Sequence, residues 1–485
     1  MCHGDRVATV PDGLVAVVKR DCPTCTLVEP VLGQLAAAVP LTVCSQDDPA
    51  FPNGLPVVDD RELEISWRLG IETVPTLLRV TDGRETGRVV GWLRSQWQDF
   101  SGVPNLGPGL PEHRPGCGSR SVEIEDELAR RYGGRVLSSR RVELADLEDD
   151  VEAMYDRGWT DGLPTVPPTE ERVVRMLAGT SRAPEQVVAV VPPDLVECTV
   201  EKVAVNAVLA GCLPEHLPVV LATVEAACRD EFALHGVLAT TYFAGPVLVV
   251  NGPVTRRLRM NSGVNALGPG NRANATIGRA LQLVVRNVGG GRPGEVDRAT
   301  LGSPGKFTFC FAEAEDELAP FEPLAASRGV SGSAVTVFAG SGLIPVVDQA
   351  SRTPESLART YALVLRTVGH PKSAVGMDAL LIVSPEHGRV FREGGWDRAR
   401  LLAELEPLLV MQPDELRRGA LGIAEGMPPG LDDRPLPKFR SGGLLVAYAG
   451  GPAGMFSAVV GGWASGATGS SPVTVPIEEA GWPAS

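Results

Sequence analysis

Two cysteines separated by two residues are the part of this sequence with the best-defined chemistry. Cys22 and Cys25 follow an apolar run at 14–18 that predicts a β-strand, and they precede a helical pattern at 27–38. The first turn of a helix carries partial positive charge, which stabilises a thiolate and lowers the pKa of a cysteine there. Because the thiolate is the attacking species in disulfide exchange, we expect Cys22 to attack and Cys25 to resolve the mixed disulfide.

Residues 1–103 resemble the thioredoxin superfamily. The resemblance rests on Cys-Pro-Thr-Cys at 22–25, on Val-Pro-Thr at 74–76, and on an Asp-Gly turn at 82–83 between strand-like runs. It implies a thioredoxin-like domain with a redox-active disulfide, in which Pro75 is a cis proline packed against the dithiol. Asp21 stands where the family commonly has Trp, and Ala16 where it often has a buried carboxylate, which favours a dedicated donor over a general disulfide reductase. A purely structural domain or a metal-binding Cys-x-x-Cys is the alternative.

Composition limits the classes of partner and the compartment. The 485 residues carry a net charge of −14, which argues against nucleic acid or an anionic membrane surface as a partner. Nine cysteines in irregular spacing do not predict a disulfide framework, and the first residues lack the apolar core of a signal peptide. No stretch predicts a membrane span, because the charge-free segment 441–477 is rich in Gly, Pro and Ser. We therefore expect a cytoplasmic protein.

Composition also predicts the domain organisation. Gly and Pro are dense at 104–120, which predicts a linker, and this linker carries Cys117 between two glycines. A thiol on such a tether can shuttle between two sites; an incidental, solvated cysteine is the alternative. Residues 121–485 alternate strand-like and helical patterns, which predicts a large α/β catalytic domain with a mixed or mostly parallel sheet. Its division into lobes at 121–318 and 330–485 is left open.

A glycine-rich loop that opens a predicted helix is the best candidate for a substrate site in the large domain. The segment 268–279 offers backbone N–H groups and two arginines, which suit a small carboxylate or phosphate. A capped helix whose arginines pair with acids is the alternative. The predicted anion-binding residues, which include nearby amides and one lysine, are Gly270, Asn271, Arg272, Asn274, Thr276, Arg279, Asn251, Asn265 and Lys306.

Three more residues of the large domain are candidates for catalysis. Asp161, in a Trp-Thr-Asp-Gly loop, is an acid or base candidate, although a turn aspartate is the commoner case. Cys198 directly precedes a predicted helix, a position that lowers the pKa of a thiol. His387 follows a buried strand and is the most suitable of the isolated histidines for a base. No cysteine and histidine group has zinc-like spacing, so we expect no metal, and we predict no cofactor.

Residues 151–477 are similar to a bacterial family with little-known chemistry. The similarity rests on three segments, at 157–164, 199–207 and 270–279. The family is associated with partners of selenoproteins that carry a U-G-S-C motif. The similarity therefore implies thiol or selenol chemistry, with a thiol reductase or a selenoprotein-like protein as partner.

These features together predict a thiol-dependent enzyme, in which the dithiol delivers electrons or sulfur to a small anionic substrate held by the large domain. Fusion of the two parts gives the dithiol an effective concentration of about millimolar. A redox enzyme further predicts an internal acceptor, either Cys117 or Cys198. A sulfur-transfer or C–S bond-forming or cleaving enzyme that uses a persulfide or a substrate adduct is one alternative. A non-catalytic redox sensor or chaperone-like module is another, and a homo-oligomer is left open.

Overall fold

The computed structural model describes residues 10–81, 83–124, 128, 132, 137–140, 142, 144, 148–316, 319–427, 434–464 and 469–478. The chain forms two compact units: unit 1 comprises residues 1–136 with 483–485, and unit 2 comprises residues 137–482. Both combine helices with sheets, and the sheets contain parallel and antiparallel pairs, so the expected α/β class with a mixed sheet is confirmed. A helix needs about 20 mostly apolar residues to cross a bilayer, and none in these described ranges meets that requirement.

Unit 1 contains nine short strands and four helices among its described residues. The strands are β1 (Gly13–Val18), β2 (Leu41–Ser45), β3 (Val57–Asp59), β4 (Thr73–Val74), β5 (Thr76–Thr81), β6 (Arg84–Val90), β7 (Trp92–Leu93), β8 (His113–Arg114) and β9 (Cys117–Gly118). The helices are α1 (Pro23–Ala38), α2 (Glu64–Arg68), α3 (Arg94–Ser101) and α4 (Arg120–Glu123).

A five-stranded mixed sheet in the order β3-β2-β1-β5-β6 forms the centre of unit 1. Strand β1 is parallel to β2 and antiparallel to β5. All its residues from 14 to 18 are buried, which explains why the sequence reads there as a continuous apolar run. Helix α1 buries Val28, Val31 and Leu35, which recur at helical spacing, against the same core. The strand therefore ends in a short loop, with Arg20 and Asp21 exposed, that leads to the buried Cys22 at the start of α1.

Residues 104–120 pack as part of unit 1, which differs from the linker predicted by their composition. Strand β8 pairs with β7, and β9 pairs with β4. The backbone N–H of Gly107 also donates to Gln34 Oε1 at 2.8 Å. All these partners lie far away in the sequence, so composition alone gives no sign of them. Asp82, the first residue of the predicted Asp-Gly turn, lies outside the described residues.

Unit 2 contains eleven strands and twelve α-helices among its described residues. The strands are β10 (Val187–Val191), β11 (Val196–Thr199), β12 (Gly245–Asn251), β13 (Cys310–Ala312), β14 (Ala334–Val347), β15 (Met377–Val383), β16 (Val410–Met411), β17 (Leu436–Pro437), β18 (Leu444–Tyr448), β19 (Phe456–Ala464) and β20 (Val473–Pro476). The helices are α5 (Asp150–Asp156), α6 (Glu170–Leu177), α7 (Val200–Ala210), α8 (Leu217–Ala227), α9 (Leu234–Ala239), α10 (Pro253–Arg257), α11 (Arg272–Asn287), α12 (Leu324–Ser327), α13 (Pro354–Leu365), α14 (Pro385–Glu393), α15 (Arg398–Leu408) and α16 (Pro413–Leu416).

The two edges of the main sheet of unit 2 are joined at one end by a backbone hydrogen bond. Its strands follow the order β13-β12-β14-β19-β15-β18, with β20 also paired to β14. The edge strands are β13 and β18. The N–H of Ala314, two residues after β13, donates to the carbonyl of Tyr448, the last residue of β18, at 2.7 Å. One cluster collects inward side chains from all six strands, including Val247, Phe338 and Leu380. This sheet joins strands from both predicted lobes, 121–318 and 330–485, into one structure.

Candidate functional site: three cysteines in unit 1

The loop after β1 places the sulfur of Cys22 at the start of α1. Cys22 is the N-cap residue, with extended backbone, and its Sγ accepts the backbone N–H of Cys25 at 3.3 Å. Pro23 occupies the first helical position, where a missing N–H costs nothing. The positive end of the helix therefore faces the Cys22 sulfur, as the spacing of the two cysteines predicts.

A second strand approaches the Cys22 sulfur from the other side. The Cys22 thiol, when protonated, donates to the carbonyl of Val74 at 3.6 Å. The Val74–Pro75 peptide bond is cis, as the resemblance implies. Pro75 thus lies directly beside the dithiol, in the turn between β4 and β5.

Cys117 lies opposite Val74 and reaches the same sulfur. Strand β9 runs antiparallel to β4, with Cys117 opposite Val74. Because the Cys22 thiol contacts the carbonyl of this same Val74, the strand pairing brings Cys117 next to Cys22. Thr24 Oγ1 donates to the carbonyl of Pro115 at 2.7 Å, which anchors this segment to the first turn of α1. The structure therefore brings three thiols together, those of Cys22, Cys25 and Cys117.

Hydrogen bonds and burial give the three thiols different pKa values. The Cys25 thiol makes the largest contribution to lowering the pKa of Cys22 to about 5; burial opposes it, and the Cys117 thiol and two backbone N–H groups lower it further. Burial raises the pKa of Cys25 far above its ordinary value, and the neighbouring Cys22 raises it further. Burial and the Cys22 sulfur also raise the pKa of Cys117. The lowered pKa favours a thiolate on Cys22 at neutral pH, while the raised pKa values of Cys25 and Cys117 favour their protonated thiols.

The three sulfurs also differ in access. Cys22 is 1% exposed and Cys25 is fully buried. Cys117 is half-buried. Cys117 is therefore the most exposed of the three cysteines.

A buried polar network fixes the chain immediately after Cys117. Gln46 Nε2 donates to Ser66 Oγ at 2.8 Å and to Ser119 Oγ at 2.7 Å, and its Oε1 accepts the N–H of Arg120 at 3.1 Å. The N–H of Ser119 donates to the carbonyl of Glu72 at 2.9 Å. Gln46, Ser66 and Ser119 are all buried and satisfied, which makes such a network rigid. Sequence reasoning missed Gln46 and Thr24, because neither belongs to a motif that predicts such a contact.

Two predicted site residues of unit 2, Asp161 and Arg279, form an ion pair with each other. Arg279 Nε and Nη2 donate to the two carboxylate oxygens of Asp161 at 2.8 and 2.7 Å. Burial disfavours the charged carboxylate, but the hydrogen bonds from Arg279 outweigh it and lower the pKa of Asp161. Asp161 and Arg279 therefore form an internal ion pair, and the acid or base role of Asp161 stays a prediction.

The other predicted residues of the glycine-rich loop also have partners within the chain. Asn271 caps α11 by accepting the N–H of Asn274, and Arg272 Nε donates to the carbonyl of Gly211 at 2.9 Å. Thr276 Oγ1 donates to the carbonyl of Arg272. The buried Asn274 bonds to the backbone of Asn261 through both ends of its amide. The loop that includes Gly270 borders a surface depression, but its side chains act there as caps and turns.

The remaining predicted substrate residues lie apart from one another. Asn265 has φ of +60° and donates to the carbonyl of Pro269 within its own turn. Lys306 Nζ pairs with Asp297 Oδ1 at 2.7 Å. Asn251 ends β12, and its amide donates to a carboxylate described below. The structure therefore does not collect these residues into one anion-binding site.

Cys198 and His387 are both buried, and their catalytic roles stay predictions. Cys198 is fully buried, and burial raises the pKa of its thiol to about 12. Thr199, not Cys198, caps α7. The buried ring of His387 bonds to Ser457 Oγ at 2.8 Å and to the carbonyl of Asp348 at 3.0 Å, and burial lowers its pKa. Both side chains belong to the core.

One buried carboxylate of unit 2 was not predicted. Glu313, directly after β13, accepts from Asn251 Nδ2 at 2.6 Å and from the backbone N–H groups of Leu324 and Tyr448. Burial raises its pKa to about 7, while Arg398 and the hydrogen bonds lower it. Two glutamates at alternate positions after a predicted strand, 313 and 315, were the available signal. The group ties β12, β13 and β18 together at one end of the sheet.

Across the part of the chain that the structure describes, no group of three or more His, Cys, Asp or Glu side chains is placed to hold a metal ion. Comparisons with protein-family models, with curated proteins and with solved structures find no match to this chain.

Proposed function

We propose that unit 1 is a thioredoxin-like thiol–disulfide oxidoreductase, with Cys22 as the nucleophile and Cys25 as the resolving thiol. The observation that supports this most strongly is the sulfur of Cys22 at the start of α1, where it accepts the N–H of Cys25 and has a pKa of about 5. A thiolate at neutral pH is the reactive form in disulfide exchange. The strand order of unit 1 and the position of Pro75 beside the dithiol also favour this function.

The reaction has two exchange steps. The thiolate of Cys22 attacks one sulfur of a disulfide R–S–S–R, forms a Cys22–S–S–R bond and releases the first R–S⁻. Cys25 then loses its proton to a departing thiolate and attacks the Cys22 sulfur, which releases the second R–S⁻. Two electrons pass from the dithiol to the substrate, and the enzyme holds a Cys22–Cys25 disulfide. The raised pKa of Cys25 makes its deprotonation the demanding part of the second step.

The role of unit 2 stays a prediction from sequence. A small anionic substrate, a thiol reductase or selenoprotein-like partner, and the sulfur-transfer alternative all rest on residue patterns. The pairing of Arg279 with Asp161 and of Lys306 with Asp297 takes two of the three predicted cations into internal ion pairs. We therefore propose the exchange chemistry for unit 1 and leave its electron acceptor open.

The proposed function is tested by equilibrating the full chain in buffers of reduced and oxidised glutathione, alkylating free thiols and mapping the peptides by mass spectrometry. The wild type should form a Cys22–Cys25 disulfide, and Cys22→Ala should form no disulfide at Cys25. The matched control is Cys44→Ala, because Cys44 is a buried cysteine of the same unit, with a pKa raised to about 12. A wild-type protein that keeps both thiols free in the most oxidising buffer would disprove the proposal.

A further inference from the structure

The reactive sulfur of unit 1 faces a sulfur of its own chain. Cys22 is 1% exposed, and its thiol lies against the carbonyl of Val74. The residue paired with Val74 across the strands is Cys117, whose thiol also lowers the pKa of Cys22. The half-buried Cys117 is therefore more accessible to an external disulfide than the buried Cys22.

The position of Cys117 is built into the fold. A Cβ atom on the preceding residue, Gly116, would lie 2.4 Å from Thr73 Cγ2 and 2.7 Å from the carbonyl oxygen of Val74, so only glycine allows this approach. By contrast, a Cβ atom on Gly118 would meet no atom within 4 Å. Such close antiparallel pairing of a segment with a strand edge is how extended peptides are recognised. The segment around Cys117 thus lies against β4 as a bound peptide would.

We propose that Cys117 is the resident exchange partner of Cys22, and that a Cys22–Cys117 disulfide is the intermediate through which the buried dithiol exchanges electrons with low-molecular-weight disulfides. This inference rests on the proposed function of unit 1. It assigns the attack on the external disulfide to Cys117, so that the disulfide attacked by Cys22 is the mixed disulfide on Cys117.

The exchange takes three balanced steps. First, the half-buried Cys117 passes its proton to the Cys22 thiolate and attacks R–S–S–R, which gives Cys117–S–S–R and an R–S⁻ that recovers the proton from Cys22. Second, the Cys22 thiolate attacks the Cys117 sulfur and releases the second R–S⁻. Third, Cys25 gives its proton to that thiolate and attacks the Cys22 sulfur, which frees Cys117. The products are two R–SH, a Cys22–Cys25 disulfide and a Cys117 thiolate.

The test uses Cys25→Ala in the full chain, treated with oxidised glutathione and mapped without reduction. The expected product is an internal Cys22–Cys117 disulfide with no glutathione on either residue. Cys25→Ala/Cys117→Ala removes this product, and the control Cys25→Ala/Cys44→Ala retains it. A stable glutathione adduct on Cys22 beside a free Cys117 would overturn the inference, as would an adduct on Cys117 beside a free Cys22.

Two further measurements separate this inference from the proposed function. In an otherwise wild-type chain, Cys117→Ala should slow formation of the Cys22–Cys25 disulfide by about tenfold or more, because the accessible thiol is lost. An unchanged rate would leave the exchange function standing and refute the role of Cys117. In the Cys25→Ala chain, Gly116→Ala should slow formation of the Cys22–Cys117 disulfide, while Gly118→Ala should not; equal rates would show that pairing with β4 is not what brings the sulfurs together.

Discussion

Replacement of Cys117 by alanine removes one of the donors to the Cys22 thiolate, so the pKa of Cys22 should rise. The Cys117 thiol is the second of the side-chain donors that hold this pKa at about 5. Serine at the same position keeps an O–H donor in place of S–H. Cys117→Ala and Cys117→Ser therefore form a matched pair that differs mainly in one hydrogen bond.

The size of the change follows from the strength of that bond. A hydrogen bond to a charged group contributes about 1.5–3 kcal/mol, and one pKa unit corresponds to about 1.4 kcal/mol, so complete loss would raise the pKa by about 1–2 units. Because Cys117 is half-buried, water can replace part of the lost donor. We expect the pKa of Cys22 to rise by about one unit in Cys117→Ala and to change much less in Cys117→Ser.

The assay is the pH dependence of Cys22 alkylation by iodoacetamide, read at that residue by peptide mapping. The pH at the midpoint of this alkylation curve reports the pKa of Cys22 more directly than the alkylation rate at neutral pH does. A pKa near 5 raises the thiolate fraction at pH 7 about 30-fold over an ordinary cysteine, but the nucleophilicity of each thiolate falls by a similar factor. A midpoint does not depend on this compensation or on the slow access to a buried sulfur.

The opposite result is equally informative. If the midpoint of Cys22 stays the same in Cys117→Ala, then Cys117 is not a donor to the thiolate. If it rises by the same amount in Cys44→Ala, a general loosening of unit 1 explains the change. If the wild-type midpoint lies near 8.5, the ordinary value for a cysteine, the proposed ionisation of Cys22 is refuted.

Three further predictions concern stability. The folded pKa of Cys22 is lowered, so its contribution to stability is full above about pH 8.5 and is lost as the pH falls toward about 5. In calorimetry, the Tm of the reduced protein should therefore fall relative to the Tm of the oxidised protein as the pH is lowered over that window. The folded pKa of Glu313 is raised to about 7, so stability should fall as the pH rises from about 4.3 to about 7, and a Glu313→Gln protein should lack that slope in urea unfolding at stepped pH. Asp161→Asn should lower the free energy of unfolding by about 2–4 kcal/mol, because it leaves Arg279 unpaired in a largely buried site. The control Glu404→Gln, at an exposed ion pair, should change the free energy of unfolding by less than about 1 kcal/mol. Equal losses in the two variants would show that the buried pair stabilises the fold no more than the exposed pair does.

Local patterns predicted those elements whose residues carry their own signal. The apolar run at 14–18 became β1 (Gly13–Val18), because both faces of a central strand are buried. The helix predicted directly after Cys198 is α7 (Val200–Ala210), and Thr199 caps it. The apolar stretch at 237–251 begins within α9 (Leu234–Ala239), and only its second half is a strand, β12. Short apolar runs do not distinguish helix from strand.

The sequence predicted the pairing of Cys22 with Cys25 but not the position of Cys117 beside them, for a physical reason. Cys22 and Cys25 lie in the first turn of one helix, so their spacing in the sequence already places their side chains next to each other. Cys117 meets Cys22 through the pairing of β9 with β4, whose residues lie more than 40 positions apart. Glycine next to a cysteine suggests freedom of the chain, but at Gly116 it permits close packing against Val74 instead. The same residue type thus supports opposite readings until its neighbours are known.

Serine at position 117 separates the two roles that the structure gives to Cys117. Its O–H can still donate to the Cys22 thiolate, so the low pKa should be kept, but oxygen cannot form a disulfide. Cys117→Ser should therefore alkylate at Cys22 with a wild-type midpoint and yet oxidise slowly with glutathione disulfide, because an ionised sulfur that is 1% exposed has no accessible partner. Rapid oxidation of that variant would mean that external disulfides reach Cys22 directly, and that Cys117 only tunes the charge of a site it does not serve.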